Sequence, residues 1–326
     1  MNKSKVKGII WAVRSKPRLY PTKKSVANHL MPVYDKPLIY YPLSVLMLAG
    51  IQDILIITSP ADSPDFKNML GDGSVFGVNI SYELQRSCDD IVDALVIAEG
   101  FIGDDKIVLI RGDDIFYDHN MRSMLRRAVS TIGGATLFGH RMKNFGRFGM
   151  SEDKYHDEVI CIEEDSKNSL NNKKMAVTGP YFYDDRVIDY AKQVSACSRS
   201  DSKLSVINKI YLKQNKITAE FFSPEYTWLS VETLKEKRDA SSFLKSIERK
   251  NRAKVFCPEE IAWRNNWIDD DQVMGLACDL KNNSYGEYLY SLLSKKNDQR
   301  ISTNMQSDTL LFSNTESGYT ISRGEI

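Results

Sequence analysis

Residues 7–37 read KGIIWAVRSKPRLYPTKKSVANHLMPVYDKP, and their layout decides the fold. Residues 8–13 are an uninterrupted apolar run, the composition of a strand buried on both faces of a sheet. A short basic loop follows, then Arg18-Leu19-Tyr20-Pro21, then Leu30-Met31-Pro32-Val33-Tyr34-Asp35-Lys36-Pro37. Two later runs, 54–58 and 106–110, repeat the short, β-branched pattern, and the second leads into Gly112-Asp113-Asp114. Between the first two runs, residues 37–50 carry helical spacing and stop at Gly50, the residue type that ends helices. Strands alternating with helices predict a doubly wound, mostly parallel α/β sheet. Such sheets bind ligands beyond the carboxyl ends of their strands. Both the loop after Val13 and Asp113 fall at such ends.

Further along, 133–139 and 176–183 read as strands, and 235–293 as mainly helical. From about residue 295 the chain is rich in Ser, Thr and Asn, a composition that favours disorder. The expected plan is one domain over 1–294, with 235–293 as its assembly and regulatory region, and a polar, disordered tail over 295–326.

Composition narrows the function. Of 326 residues, 42% are hydrophobic and 27% charged, as in ordinary soluble globular proteins. A net charge of +1 gives no field that would draw nucleic acid or an anionic membrane. No apolar stretch approaches the ~18 residues that span a bilayer. The basic N-terminus runs straight into a strand, unlike a signal peptide. The five cysteines are scattered without metal-ligand spacing and read as free thiols in a reducing compartment, so a cytoplasmic location is expected.

The opening stretch resembles that of the sugar-1-phosphate nucleotidylyltransferases, most closely the glucose-1-phosphate thymidylyltransferase family. That family writes its phosphate loop L-A-G-G-x-G-T-R-L-x-P. In the same register this chain has Trp11-Ala12-Val13-Arg14-Ser15-Lys16-Pro17-Arg18-Leu19-Tyr20-Pro21. Tyr34-Asp35-Lys36-Pro37-Leu38-Ile39-Tyr40-Tyr41-Pro42, Leu70-Gly71-Asp72-Gly73-Ser74 and Cys257-Pro258-Glu259-Glu260-Ile261 are near the family's wording, and the similarity runs over 6–292. It implies a nucleotidyltransferase-type (Rossmann-like) sheet with inserted sugar-binding strands and a helical C-terminal part. It also implies transfer of a nucleotidyl group from a triphosphate to a sugar 1-phosphate, with Mg2+ as cofactor if the protein is active.

Residue by residue, the resemblance gives a mixed site. Arg18 matches the loop arginine, whereas Val13, Arg14 and Lys16 replace glycines and Pro17 replaces a threonine. Asn28 stands where the family has a phosphate-contacting lysine. Asp113 matches a metal-binding aspartate, and Ser230 replaces the second metal carboxylate, with Glu232 two residues on as the alternative. Gln85, Asp90 and Gly112 fall at nucleotide-binding positions, and Asp93 replaces a glutamine. Gly149, Lys167, Thr178 and Gly179 fall at sugar-binding positions. Tyr117, His119, Glu260, Ile261 and Arg264 match a regulatory nucleotide site. A cradle of backbone N–H groups around phosphates needs glycines, and a neutral amide cannot stabilise developing charge as an ammonium does. The expected function is therefore a catalytically impaired relative of nucleotide-sugar metabolism with a binding, regulatory or assembly role. The alternative is an active nucleotidylyltransferase with a rebuilt basic clamp of Arg14, Lys16 and Arg18. Expected partners are a nucleotide or nucleotide sugar, and further copies of the chain or an active relative, with no nucleic acid and no membrane.

Overall fold

The computed structural model describes residues 5–13, 27–86, 90–141, 158–162, 173–196, 203–221, 223, 225–251 and 253–294. It falls into two compact units, 1–267 and 268–326. The first unit opens with β1 (Val6–Ala12), a 3-10 turn over Asn28–Leu30 and a small hairpin of β2 (Pro32–Val33) and β3 (Lys36–Pro37). Then come α1 (Tyr40–Leu48), β4 (Asp53–Thr58), α2 (Ser63–Leu70), β5 (Asn79–Leu84), α3 (Ile91–Ile97), α4 (Glu99–Ile102) and β6 (Lys106–Arg111). β7 (Asp114–Tyr117), α5 (Met121–Thr131), β8 (Ala135–Arg141), β9 (Glu158–Ile162) and β10 (Lys173–Tyr183) follow. The unit continues through α6 (Val187–Ser195), α7 (Lys203–Lys213), β11 (Ile217–Phe221), β12 (Thr227–Ser230), α8 (Leu234–Asn251) and α9 (Pro258–Arg264).

The main sheet has the order β11-β8-β10-β6-β1-β4-β5, with β9 on β10. β6, β1, β4 and β5 run parallel to one another, β11 is parallel to β8, and β10 is antiparallel to β6, β8 and β9. The mostly parallel, helix-flanked architecture inferred from the sequence is therefore present. Its parallel strands are aliphatic because both faces are covered. Ile9, Leu55, Ile57, Ile107 and Leu109 face one core, which α3, α6 and α7 close with Val92, Leu95, Ala191 and Ile207.

α1 is apolar all round and buried along its length, as a helix inside a core should be. It ends where Gly50 takes φ +88°, a conformation that favours glycine. Residues 36–37 pair with 32–33 as a hairpin, so the helix starts at Tyr40 rather than at Pro37.

In the second unit, α10 (Asp270–Asp279) starts with a capping box: Asp269 accepts from the Gln272 N–H, and Gln272 accepts from the Asp269 N–H. A further helix covers 284–294. With α8 and α9 these fill the stretch read as helical. The tail from 295 lies outside the described residues.

Candidate active site

The chain leaves β1 towards β4 on one side and returns to β6 on the other. The carboxyl ends of β1 and β6 thus form the topological switch point, where open α/β sheets bind ligands. Trp11 and Arg111 pair in register there. Gly112 follows, its N–H donating to the Trp11 carbonyl at 2.8 Å. A Cβ at Gly112 would lie 2.9 Å from His29 Cδ2 and 3.1 Å from Ala12 Cβ, so the close approach of the 3-10 turn requires glycine.

That turn brings Asn28 in. Its Nδ2 donates to the Val231 carbonyl at 2.7 Å, and the Val231 N–H donates to the Asp113 carbonyl at 2.9 Å. β7 and β12 pair antiparallel with Asp114 opposite Ser230. Asn28, Asp113 and the 230–232 segment, far apart in sequence, are thereby gathered at one strand edge. Glu236 accepts from the N–H groups of Glu232 and Thr233, capping the start of α8. The Glu232 carboxylate is left facing Arg111, 3.7 Å from Nη2. Arg111 Nε lies 3.3 Å from Asp113 and 3.9 Å from Asp114, and the guanidinium carbon sits 5.8 Å from the centre of the Trp11 ring.

Gln85 is only 1% exposed, and both ends of its amide meet protein. Trp11 Nε1 donates to its Oε1 at 2.8 Å, and its Nε2 donates to the Asp90 carbonyl at 3.0 Å. Asp90 caps α3 by accepting from the Val92 N–H. Burial pushes the Asp90 carboxyl above its usual range, against the opposing pull of Val92 and Lys203. Asp93 accepts from Ser195 Oγ at 2.6 Å and pairs with Lys203 Nζ at 3.6 Å. The two acidic residues therefore clasp the ends of α3, α6 and α7.

A cavity of about 270 Å³ is lined by all five residues assigned to a regulatory site, Tyr117, His119, Glu260, Ile261 and Arg264. Asn251 Nδ2 donates to the Tyr117 hydroxyl at 3.0 Å, and Arg264 Nε to Glu260 at 2.7 Å. Arg122 and Lys254 also line it. Partial burial, with Arg126 and Arg264 nearby, holds the Arg122 guanidinium below its ordinary value. The cavity lining thus mixes Arg122, Lys254 and Arg264 with Asp118 and Glu260.

Arg18, Gly149 and Lys167 lie outside the described residues, as does the loop with Arg14 and Lys16. Thr178 and Gly179 sit in β10, Gly179 at φ +77°. Sequence reasoning missed Arg111 and Trp11. A cation ending an aliphatic strand, and an indole in the facing position, were the available signals.

The family model for nucleotidyl transferase matches residues 7–247. A glucose-1-phosphate thymidylyltransferase of Neisseria meningitidis is 43% identical over 290 residues, spanning 89% of this chain and all of that protein. One from Mycolicibacterium smegmatis is 41% identical over 291 residues, with the same shares. Among solved structures, a Bacillus anthracis protein provisionally assigned as a glucose-1-phosphate thymidylyltransferase, crystallised with sucrose, superposes with TM-score 0.57 at 31% identity. That match covers 73% of this chain and 94% of the other. A UDP-glucose pyrophosphorylase with UDP-glucose superposes at TM-score 0.58 over 74% and 99%, and at 17% identity it speaks to fold alone. None of these similarities carries a sign of the impaired catalysis that the loop substitutions led us to expect. With near full-length identity above 40% and a matching family model over most of the chain, this protein belongs to the glucose-1-phosphate thymidylyltransferase family of nucleotidyl transferases.

Proposed function

We propose that the chain is an active nucleotidylyltransferase that joins a nucleoside triphosphate to a sugar 1-phosphate, with dTTP and glucose 1-phosphate as the pair suggested by its relatives. The observation that carries the reading is the convergence of Asn28, Asp113 and the 230–232 segment at the β1–β6 switch point, in a chain 43% identical to a full-length thymidylyltransferase. In the reaction, an oxygen of the sugar phosphate attacks the α-phosphorus, a new P–O bond forms, and pyrophosphate leaves with the broken one. All reacting groups are anionic, so the protein's contribution is positioning and charge neutralisation. Arg111 supplies a fixed cation at the strand ends, and Arg14, Lys16 and Arg18 follow β1 in sequence. The product reading places the protein in nucleotide-sugar metabolism in the cytoplasm. The 270 Å³ cavity, with Tyr117, His119 and Arg264 in its wall, is its second, regulatory nucleotide site. The protein works as an oligomer, with itself or with a related enzyme.

A second reading, slow turnover with a binding or regulatory role, is favoured by Asn28: its Nδ2 is engaged with the Val231 carbonyl and it carries no charge. Pyrophosphate release from dTTP and glucose 1-phosphate decides between them. Turnover on the order of 1 s⁻¹ or faster supports the transferase reading. Thermal stabilisation by dTTP or dTDP-glucose without turnover supports the second, and a ligand at 100 times its Kd adds about 2.7 kcal/mol.

A further inference from the structure

The residues at the centre of this site do not suit a divalent ion. Magnesium needs hard oxygen donors that converge on one point. Asp113 and Glu232 instead both face the Nε–Nη2 edge of one guanidinium, at 3.3 Å from Nε and 3.7 Å from Nη2 of Arg111. Ser230 adds only a hydroxyl at the end of β12. Among the described residues, no group of three or more His, Cys, Asp or Glu is arranged to hold a metal. An ion placed between Asp113 and Glu232 would meet a permanent positive charge at contact distance, and arginine cannot shed its proton to make room.

We propose that Arg111 occupies the place of a divalent ion in this site: its guanidinium pairs with Asp113 and Glu232, and it meets the phosphates of the incoming nucleotide. The inference deepens the transferase reading and rests on it for the nature of the ligand. The side chain is placed for the task. Arg111 closes β6 at the switch point, 22% exposed, with the Trp11 indole beside it. Its planar fork of donors matches phosphate oxygens. Its guanidinium lies 3.3–3.9 Å from three carboxylates, and phosphate oxygens are anionic acceptors of the same kind for its donors. The trade needs no metal: each donor turned from a carboxylate to a phosphate keeps an anionic partner.

The test uses the full-length protein and two readouts. Binding of Mn2+ alone is followed by electron paramagnetic resonance, and binding of dTTP by calorimetry in Mg2+ and in EDTA. Wild type should bind no stoichiometric Mn2+, and its dTTP affinity should change by less than about threefold between the two buffers, since the phosphate-binding cation is built in. Arg111→Leu should gain a Mn2+ site and lose about tenfold or more of its dTTP affinity in EDTA, the worth of a charge-assisted contact. Arg111→Lys, which keeps the charge, should still exclude Mn2+. If Arg111→Leu fails to fold, Arg111→Gln takes its place. One Mn2+ bound per wild-type chain and lost on Asp113→Asn would overturn the inference, as would dTTP binding by wild type that vanishes in EDTA. If no nucleotide binds in any buffer, the transferase reading fails instead, and the Mn2+ comparison of wild type with Arg111→Leu still decides the role of the guanidinium.

Discussion

Asn28 and Val231 lie 203 positions apart, yet the Asn28 side-chain amide donates to the Val231 carbonyl at 2.7 Å. This bond fixes the 3-10 turn against the segment that follows β12. The Asn28 Oδ1 is buried with no partner among the described residues, so the side chain serves through its donor alone.

Asn28→Ala should therefore lower stability by about 1 kcal/mol, read from urea unfolding. Asn28→Lys restores an ammonium beside Asp113, and should raise pyrophosphate release by about tenfold, the effect of adding one charge-assisted contact in the transition state. An unchanged rate would show that the amide is not what limits turnover.

Trp11→Phe removes the donor to Gln85 Oε1 while keeping an aromatic ring. Gln85 is buried, so its carbonyl loses a partner inside the protein, and the loss should be about 1–3 kcal/mol. Gln85→Leu in the Trp11→Phe background should recover part of it, because removing both polar groups removes the unsatisfied one. A double-mutant cycle in chemical denaturation measures the coupling.

Lys237 sits in the buried stripe of α8, with Ala240, Leu244 and Glu248, and is 8% exposed. Its ammonium has no hydrogen-bond partner among the described residues, and burial holds it below its ordinary value of 10.5. The unfolded chain thus binds the proton more readily. Stability from this group rises as pH climbs towards 10.5 and is lost as pH falls. Lys237→Met should stabilise the protein by about 1 kcal/mol near neutrality, and the advantage should shrink in alkaline melts.

Lys254 behaves in the opposite sense. Burial disfavours its charge, but Asp35 and Glu248 outweigh burial and hold it above 10.5. Its contribution is full below 10.5 and fades as pH rises through the raised value. Glu248 joins Lys254 at 3.1 Å and Lys36 at 3.6 Å, and accepts from the Val255 N–H at 2.8 Å. Glu248→Ala should cost about 3 kcal/mol by leaving two buried cations short of a partner, and a Glu248→Ala/Lys254→Met double variant should recover a share. Thermal denaturation of the three proteins checks this.

The fold was legible where burial leaves a plain trace. β1, β4 and β6 are aliphatic because both faces are covered, and α1 ends at a glycine whose backbone favours that residue type. Asp113 was legible as a strand-end acid. The partners of Gln85 were not, because they depend on how β1, β4 and β5 line up across the sheet, and Trp11 meets Gln85 only in that register. Glu232 was weighed as a metal ligand, and its neighbour Arg111, 3.7 Å away, was not foreseen because β6 and the segment after β12 meet only in the fold. Nothing in the spacing of Asp90 and Asp93 signals that they fasten three helices, since Ser195 and Lys203 lie a hundred residues away.

The β7–β12 ribbon has one consequence for anyone who would reshape this molecule. Asp114 and Ser230 form the end nearest Arg111, whereas Tyr117 and Thr227 form the other, which borders the 270 Å³ cavity. Four paired residues, about 10 Å of backbone, join the strand-end site to the wall of that cavity. A slip of one rung would turn every side chain on it to the opposite face. The strand-end site and the cavity wall are therefore not separately adjustable through this ribbon.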